Sequence, residues 1–96
     1  MSIRLIITHT AVPGKGNELA ALMRERALPV QERPGCMQYE VFQSAHDLDR
    51  LVTLEQWQDK EALAAHAKLQ LARPSIPTGL RVDSGQREDY EYNRTR

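Results

Sequence analysis

Residues 36–58 read CMQYEVFQSAHDLDRLVTLEQWQ, and the alternation within them sets the architecture. On the way out, Met37, Tyr39 and Val41 alternate with Gln38, Glu40 and Phe42. On the way back, Leu51, Thr53, Glu55 and Trp57 alternate with Val52, Leu54 and Gln56. A period of two marks extended chain, whose successive side chains point to opposite faces. Only the polar stretch 45–49 separates the two runs, which makes them an antiparallel hairpin. If Ser44 faces Arg50, then Tyr39 faces Glu55 and Met37 faces Trp57. A phenol, a carboxylate and an indole then share one surface of the sheet.

Downstream of the hairpin, Asp59 is placed to cap a helix whose inner stripe is Leu63, His66, Ala67, Gln70 and Leu71. Pro74, Pro77 and Gly79 rule out regular structure immediately beyond it. Two runs could form the final strand, 79–83 and 86–92. The second is preferred because Tyr90 and Tyr92 share a face and a loop precedes them. Upstream, Ile3, Leu5 and Ile7 alternate with Arg4 and Thr8, while Ile6 makes the second face partly apolar, so residues 3–11 read as a strand covered on both sides. Pro13-Gly14-Lys15-Gly16 is a turn, Asn17 is expected to cap the helix after it, and Glu18 suits the positive end of the helix dipole. Leu19, Leu22, Met23, Ala27 and Val30 form that helix's buried stripe. Pro29 loosens its last turn and Pro34-Gly35 ends it.

The order β-α-β-β-α-β is that of an α+β, ferredoxin-like sandwich, an antiparallel sheet with two helices on one face. Ile6, Val52 and Leu54 make the other face apolar, and such a face is usually an interface. A homodimer packed sheet to sheet is therefore expected, forming an α+β barrel.

The chain has 96 residues, one domain's worth, taken as a single domain over 1–96 with 86–96 as last strand and polar tail. Thirteen basic residues balance 13 acidic ones, which removes the usual footprint for nucleic acid. Hydrophobic residues at 41% and charged ones at 27% indicate a globular chain rather than a disordered one. The single cysteine, Cys36, can form no intramolecular disulfide. Leu5-Ile6-Ile7 is too short for a signal-peptide core or a membrane span, so a cytoplasmic location and no membrane partner are expected. His9, His46 and His66 lack ligand spacing, and no metal site is expected. Pro13-Gly14-Lys15-Gly16 lacks the full phosphate-loop pattern.

Three segments taken in order, Pro34-Gly35-Cys36-Met37-Gln38-Tyr39-Glu40-Val41, Leu54-Glu55-Gln56-Trp57 and Ala62-Leu63-Ala64-Ala65-His66, resemble the antibiotic biosynthesis monooxygenase family. Its pattern is a P-G-C-x-x-Y strand, then E-x-W, then a helix ending in A-x-x-A-H. The resemblance runs to about Leu71. It implies a ferredoxin-like homodimer whose sheets form a barrel. Members include cofactor-free oxygenases of quinols and polyketide anthrones, haem degraders, and an isomerase of a signalling sugar phosphate. Haem degradation fits poorly. Ile6-Ile7-Thr8 lacks the expected asparagine, and Pro74-Ser75-Ile76-Pro77 lacks the expected histidine.

With this resemblance, His66 and Tyr39 are the expected catalytic residues, and Trp57, Glu55 and Leu63 the expected substrate-binding ones. The indole stacks on an aromatic ring, the phenol donates a hydrogen bond, and the imidazole takes a proton near neutral pH. The expected activity is that of a small, cofactor-independent monooxygenase acting with dioxygen on a hydroxylated aromatic, quinol or polyketide-type substrate. A non-catalytic dimeric ligand-binding module and an isomerase of the same family are the alternatives. Each residue also has a plainer reading. His66 is a satisfied core histidine, Trp57 a packing residue, Tyr39 core with its hydroxyl at the rim, and Glu55 the partner of an arginine. His9 reaches either the pocket or the dimer seam, and His46 lies in a polar turn.

Overall fold

The computed structural model describes residues 1–82 and 86–92. Its elements run β1 (Ser2–Thr10), α1 (Gly16–Gln31), β2 (Cys36–Gln43), β3 (Arg50–Trp57), α2 (Lys60–Leu71) and β4 (Gln86–Tyr92). The strands form one sheet in the order β2-β3-β1-β4, and every neighbouring pair is antiparallel. This is the ferredoxin-like arrangement that the order of elements implies. The last strand is the 86–92 run. Of the competing run, Arg81 makes an isolated bridge to Ala11, while residue 83 and the tail 93–96 lie outside the described residues.

The hairpin register comes from its turn. Ser44 donates its backbone N–H to the Arg50 carbonyl at 2.9 Å, and Tyr39 duly faces Glu55. Met37, however, does not face Trp57. A bulge between Cys36 and Gln38 pairs Trp57 with Cys36 instead, and Met37 is left exposed. A bulge sets two residues of one strand against one of its partner, so the parity needed for Tyr39 survives only beyond it.

Asp59 caps α2 as expected, its side chain accepting from the Ala62 N–H at 2.8 Å. Asn17 does not cap α1. The helix begins one residue earlier, at Gly16, with no side-chain cap at Lys15. The carboxylate of Asp49 accepts instead from the N–H groups of Gly14, at 3.0 Å, and Gly16, at 2.9 Å. The hairpin turn thus supplies the acceptor that the helix start lacks. Asn17 accepts from Gln43 Nε2. At the other end Pro29 stays within α1, and the chain leaves it through short-range bonds from Glu32 to the Pro29 carbonyl and from Arg33 to that of Val30. Gly35 comes next but one, with φ 80°, where a side chain would be strained and would collide with Ala62 of α2.

Two apolar clusters lie between sheet and helices. One holds Ile3, Leu5, Val30 and Trp57, the other Ala11, Leu19, Met23 and Leu51. Helix α2 packs less closely than its stripe suggests. Its only buried residue is His66, and Leu71, expected inside, is 88% exposed. The opposite sheet face is also less uniform than expected. Ile6, Val52 and Leu54 are half-buried and Phe42 and Tyr90 exposed. Beside them runs a polar strip in which Arg4 donates to Gln38 and Gln56, and Gln56 to Ser2. No described helix is long and apolar enough to cross a membrane.

Candidate functional site

Where α2 stands off the sheet, a cavity of about 580 Å³ opens between helix and strands. Its walls are partly apolar, with Leu5, Met23, Val41, Leu63 and Ile76, and partly polar, with Tyr39, Glu55, His66 and His9. Of the five residues expected at a site, four line it: Tyr39, Glu55, Leu63 and His66. The fifth, Trp57, is 0% exposed and is not among the lining residues. It lies behind His66, its ring stacked on the imidazole at 4.4 Å and 28°. The strand parity does bring Trp57 to this face of the sheet, but its bulk fills the core below the cavity.

Glu55 is 2% exposed. It is flanked across the sheet by Tyr39 on β2 and Leu5 on β1. Burying a carboxylate costs free energy unless it is well partnered. The arginine partner expected from the sequence is replaced. Glu55 Oε1 accepts from the indole Nε1 of Trp57 at 2.9 Å and lies 3.8 Å from His66 Nε2. Burial raises its proton affinity above the ordinary 4.5, while the Trp57 hydrogen bond and the Arg87 charge oppose the rise.

His66 is 6% exposed, and its two nitrogens are distinguished by their neighbours. Arg33 donates from Nη1 to Nδ1 at 2.6 Å. A guanidinium has no lone pair to accept with, so Nδ1 must be the acceptor, and in the neutral ring the proton sits on Nε2, toward Glu55. Burial first, then the Arg33, Arg73 and Arg87 charges, lower the imidazole pKa to about 4. The ring is therefore neutral at physiological pH. Tyr39 meets it edge-on at 5.7 Å and 62°. Burial and the Glu55 charge push the phenol up to about 12, so its hydroxyl keeps its proton and can donate.

These shifts carry a pH dependence of stability. The unfolded histidine titrates near 6.5 and the folded one near 4. Between those values the unfolded chain binds a proton that the folded one does not, and stability should fall as pH drops through the window. Glu55 acts oppositely. Its raised folded value adds stability at low pH that is lost as pH rises through it. His66→Asn, which keeps an acceptor for Arg33, should flatten the histidine part of the slope. Melting temperatures across the window check this, and identical slopes in parent and variant would refute it.

His9, given little weight from the sequence, is buried and lines the cavity. Its Nε2 lies 3.1 Å from Thr53 Oγ1 and its Nδ1 3.4 Å from Arg81 Nη1. Its alternation with Leu5 and Ile7 already put it on this face. Arg26, Arg73, Arg81 and Arg87 also line the cavity. No local pattern joins them, because they come from α1, from two separate points between α2 and β4, and from β4. Among the described residues, no three of His, Cys, Asp and Glu are grouped to hold a metal ion.

The sequence profile of the antibiotic biosynthesis monooxygenases matches residues 2–73. No curated protein matches the chain significantly. Solved structures do. A Pseudomonas aeruginosa protein is 28% identical with a TM-score of 0.80, the match covering 97% of this chain and 95% of that one. A proposed antibiotic biosynthesis monooxygenase from Chloroflexus aurantiacus is 26% identical with a TM-score of 0.77, covering 100% and 97%. A Methanosarcina mazei protein shares the fold at 20% identity, with a TM-score of 0.78 and coverage of 97% and 94%.

Proposed function

The chain belongs to the antibiotic biosynthesis monooxygenase family, and we propose that it oxidises a hydroxylated aromatic, quinol or polyketide-type substrate with dioxygen, without a cofactor. The observation that carries the reading is the buried pair Glu55 and His66 with the half-buried Tyr39 on the wall of one partly apolar cavity. Proton acceptance falls to Glu55, with His66 beside it as a hydrogen-bond donor, because Arg33 occupies the lone pair that His66 would need to accept a proton. The substrate hydroxyl gives its proton to the Glu55 carboxylate, whose proton affinity is already raised. Neutral Glu55 then competes less for the Nε2–H of His66, and this N–H, with the Tyr39 hydroxyl, hydrogen-bonds the new phenolate.

The phenolate is the electron donor. It passes one electron to dioxygen, and the radical pair joins at a ring carbon bearing hydrogen to give a peroxide. Glu55 returns its proton to the distal oxygen. Loss of water, which takes the ring hydrogen, leaves a carbonyl. One oxygen atom stays in the product and one leaves in water. Leu63 and the apolar wall hold the ring, and Trp57 supports the site from behind by fixing Glu55 and His66.

Incubation with a panel of quinols and anthrones, with dissolved oxygen recorded, tests the reading. Uptake above the uncatalysed rate, with no flavin or metal added and chelator present, is expected. Saturable ligand binding with no uptake would overturn it in favour of a binding module.

We propose also that the chain forms a homodimer through its open sheet face. Support comes from the half-buried Ile6, Val52 and Leu54 beside the exposed Phe42 and Tyr90, an apolar patch on the side that no helix covers. Sedimentation at micromolar concentration should give about twice 11.0 kDa, and Leu54→Arg should reduce it to the single-chain mass. A parent protein that sediments at the single-chain mass would overturn this.

A further inference from the structure

The chain as a whole is neutral, yet its cavity is not. Four arginines, Arg26, Arg73, Arg81 and Arg87, line it against one carboxylate, Glu55. Composition does not require this segregation, so the distribution of charge is itself a feature of the site. Two of the four are engaged elsewhere. Asp89 holds Arg87 with two hydrogen bonds, at 2.7 and 3.0 Å, and Arg81 approaches His9. Arg26 and Arg73 differ. They lie close together, with Arg73 Nη1 donating to the Arg26 carbonyl at 3.0 Å and to Gln70 Oε1 at 3.2 Å. Among the described residues no carboxylate comes within ion-pair distance of either. Glu55 does not pair with either of them; its close partners are Trp57 and His66.

Both arginines are half-buried, and each repels the other. Burial and the charges of Arg73 and Arg81 lower the pKa of Arg26, the expected mark of a cation crowded by cations. An anion placed between them would relieve that repulsion and take up the planar donor forks, which match carboxylate and phosphate oxygens. The apolar wall at Met23, Val41 and Ile76 is then left for a ring.

We propose that the substrate carries an anionic oxygen group, a carboxylate or a phosphate, seated between Arg26 and Arg73, which makes these two arginines specificity-determining residues. The inference rests on reading this cavity as the substrate site. It adds the class of substrate taken there.

Calorimetric binding of three probes tests it: 2,5-dihydroxybenzoate, 4-hydroxyphenyl phosphate and the uncharged 2,5-dihydroxybenzamide. At least one anion should bind about tenfold or more tightly than the amide at low salt, with the margin shrinking as salt rises. Which anion leads distinguishes a carboxylate from a phosphate site. Arg26→Gln and Arg73→Gln should each abolish most of the preference, weakening the anions far more than the amide. Arg26→Lys and Arg73→Lys should retain most of it, and melting temperature confirms that each variant is folded. Equal binding of all three probes by the parent overturns the proposal, as does a preference that survives in the folded Gln variants. If the Gln variants do not fold, a preference in the parent that is insensitive to salt overturns it. Anion preference without oxygen uptake overturns the oxygenase reading and supports this one. Oxygen uptake on an uncharged quinol together with equal probe binding does the reverse.

Discussion

His66→Ala should lower oxygen consumption at saturating quinol by about 10²–10³-fold, the usual contribution of a positioned donor to a developing oxyanion. The imidazole is placed to stabilise the phenolate through Nε2–H, beside the proton acceptor Glu55 3.8 Å away. The same change should destabilise the fold. It removes a ring stacked on Trp57 and leaves Arg33 only its longer bond to Gln70, at a cost of about 1–3 kcal/mol. The two effects separate with a second variant. In His66→Asn the amide oxygen replaces Nδ1 as acceptor for Arg33, so most of the stability should return while the rate stays low. Activity per folded molecule and melting temperature, measured on the same samples, decide the matter. A variant that melts early but keeps its specific activity would remove His66 from the chemistry, and Tyr39 would become the next candidate.

Trp57→Ala should give the largest loss of stability of any single substitution in the chain, about 3–5 kcal/mol. That is a large share of the ~5–15 kcal/mol that holds a domain together. The indole is fully buried against Ile3, Leu5 and Val30, stacks on His66 and donates to Glu55. Trp57→Phe separates packing from hydrogen bonding. It keeps most of the apolar volume and loses the N–H, at a cost of about 1–2 kcal/mol. Because that N–H lowers the Glu55 pKa, its loss should raise it further. Glu55 must be ionised to accept the substrate proton, so the acidic limb of the rate profile should move to higher pH. A limb that stays in place in a folded, active Trp57→Phe variant would show that Glu55 is not the acceptor.

Much of this site is legible in the chain itself. The pairing of Tyr39 with Glu55 comes from strand period and from a turn that sets Ser44 against Arg50. The inward direction of His66 comes from helix period, since a residue three after Leu63 shares its face. The bulge at Met37 leaves no signal, because no glycine or proline lies within Cys36-Met37-Gln38 to mark it. It costs only one pairing, as it lies at the strand's start.

The partners of these residues are another matter. Glu55 looks like a carboxylate in want of an arginine, yet its donor is an indole two residues along its own strand. Arg33, which decides which nitrogen of His66 carries the proton, is 33 residues away from it in sequence. It arrives there because the chain leaves α1 through Pro34 and Gly35, directly against α2.

Local pattern was enough to establish which segments are strands and helices and the inward direction of Tyr39, Glu55 and His66, because both depend on periodicity and on turns a few residues long. Composition was enough to establish that the chain is neutral. Neither could show that Arg26, Arg73, Arg81 and Arg87 converge on one cavity, which is a property of the folded chain alone. These arginines come from α1, from two separate points of the connection between α2 and β4, and from β4. Charges that cancel along a chain need not cancel in space, and no local pattern records where distant segments meet.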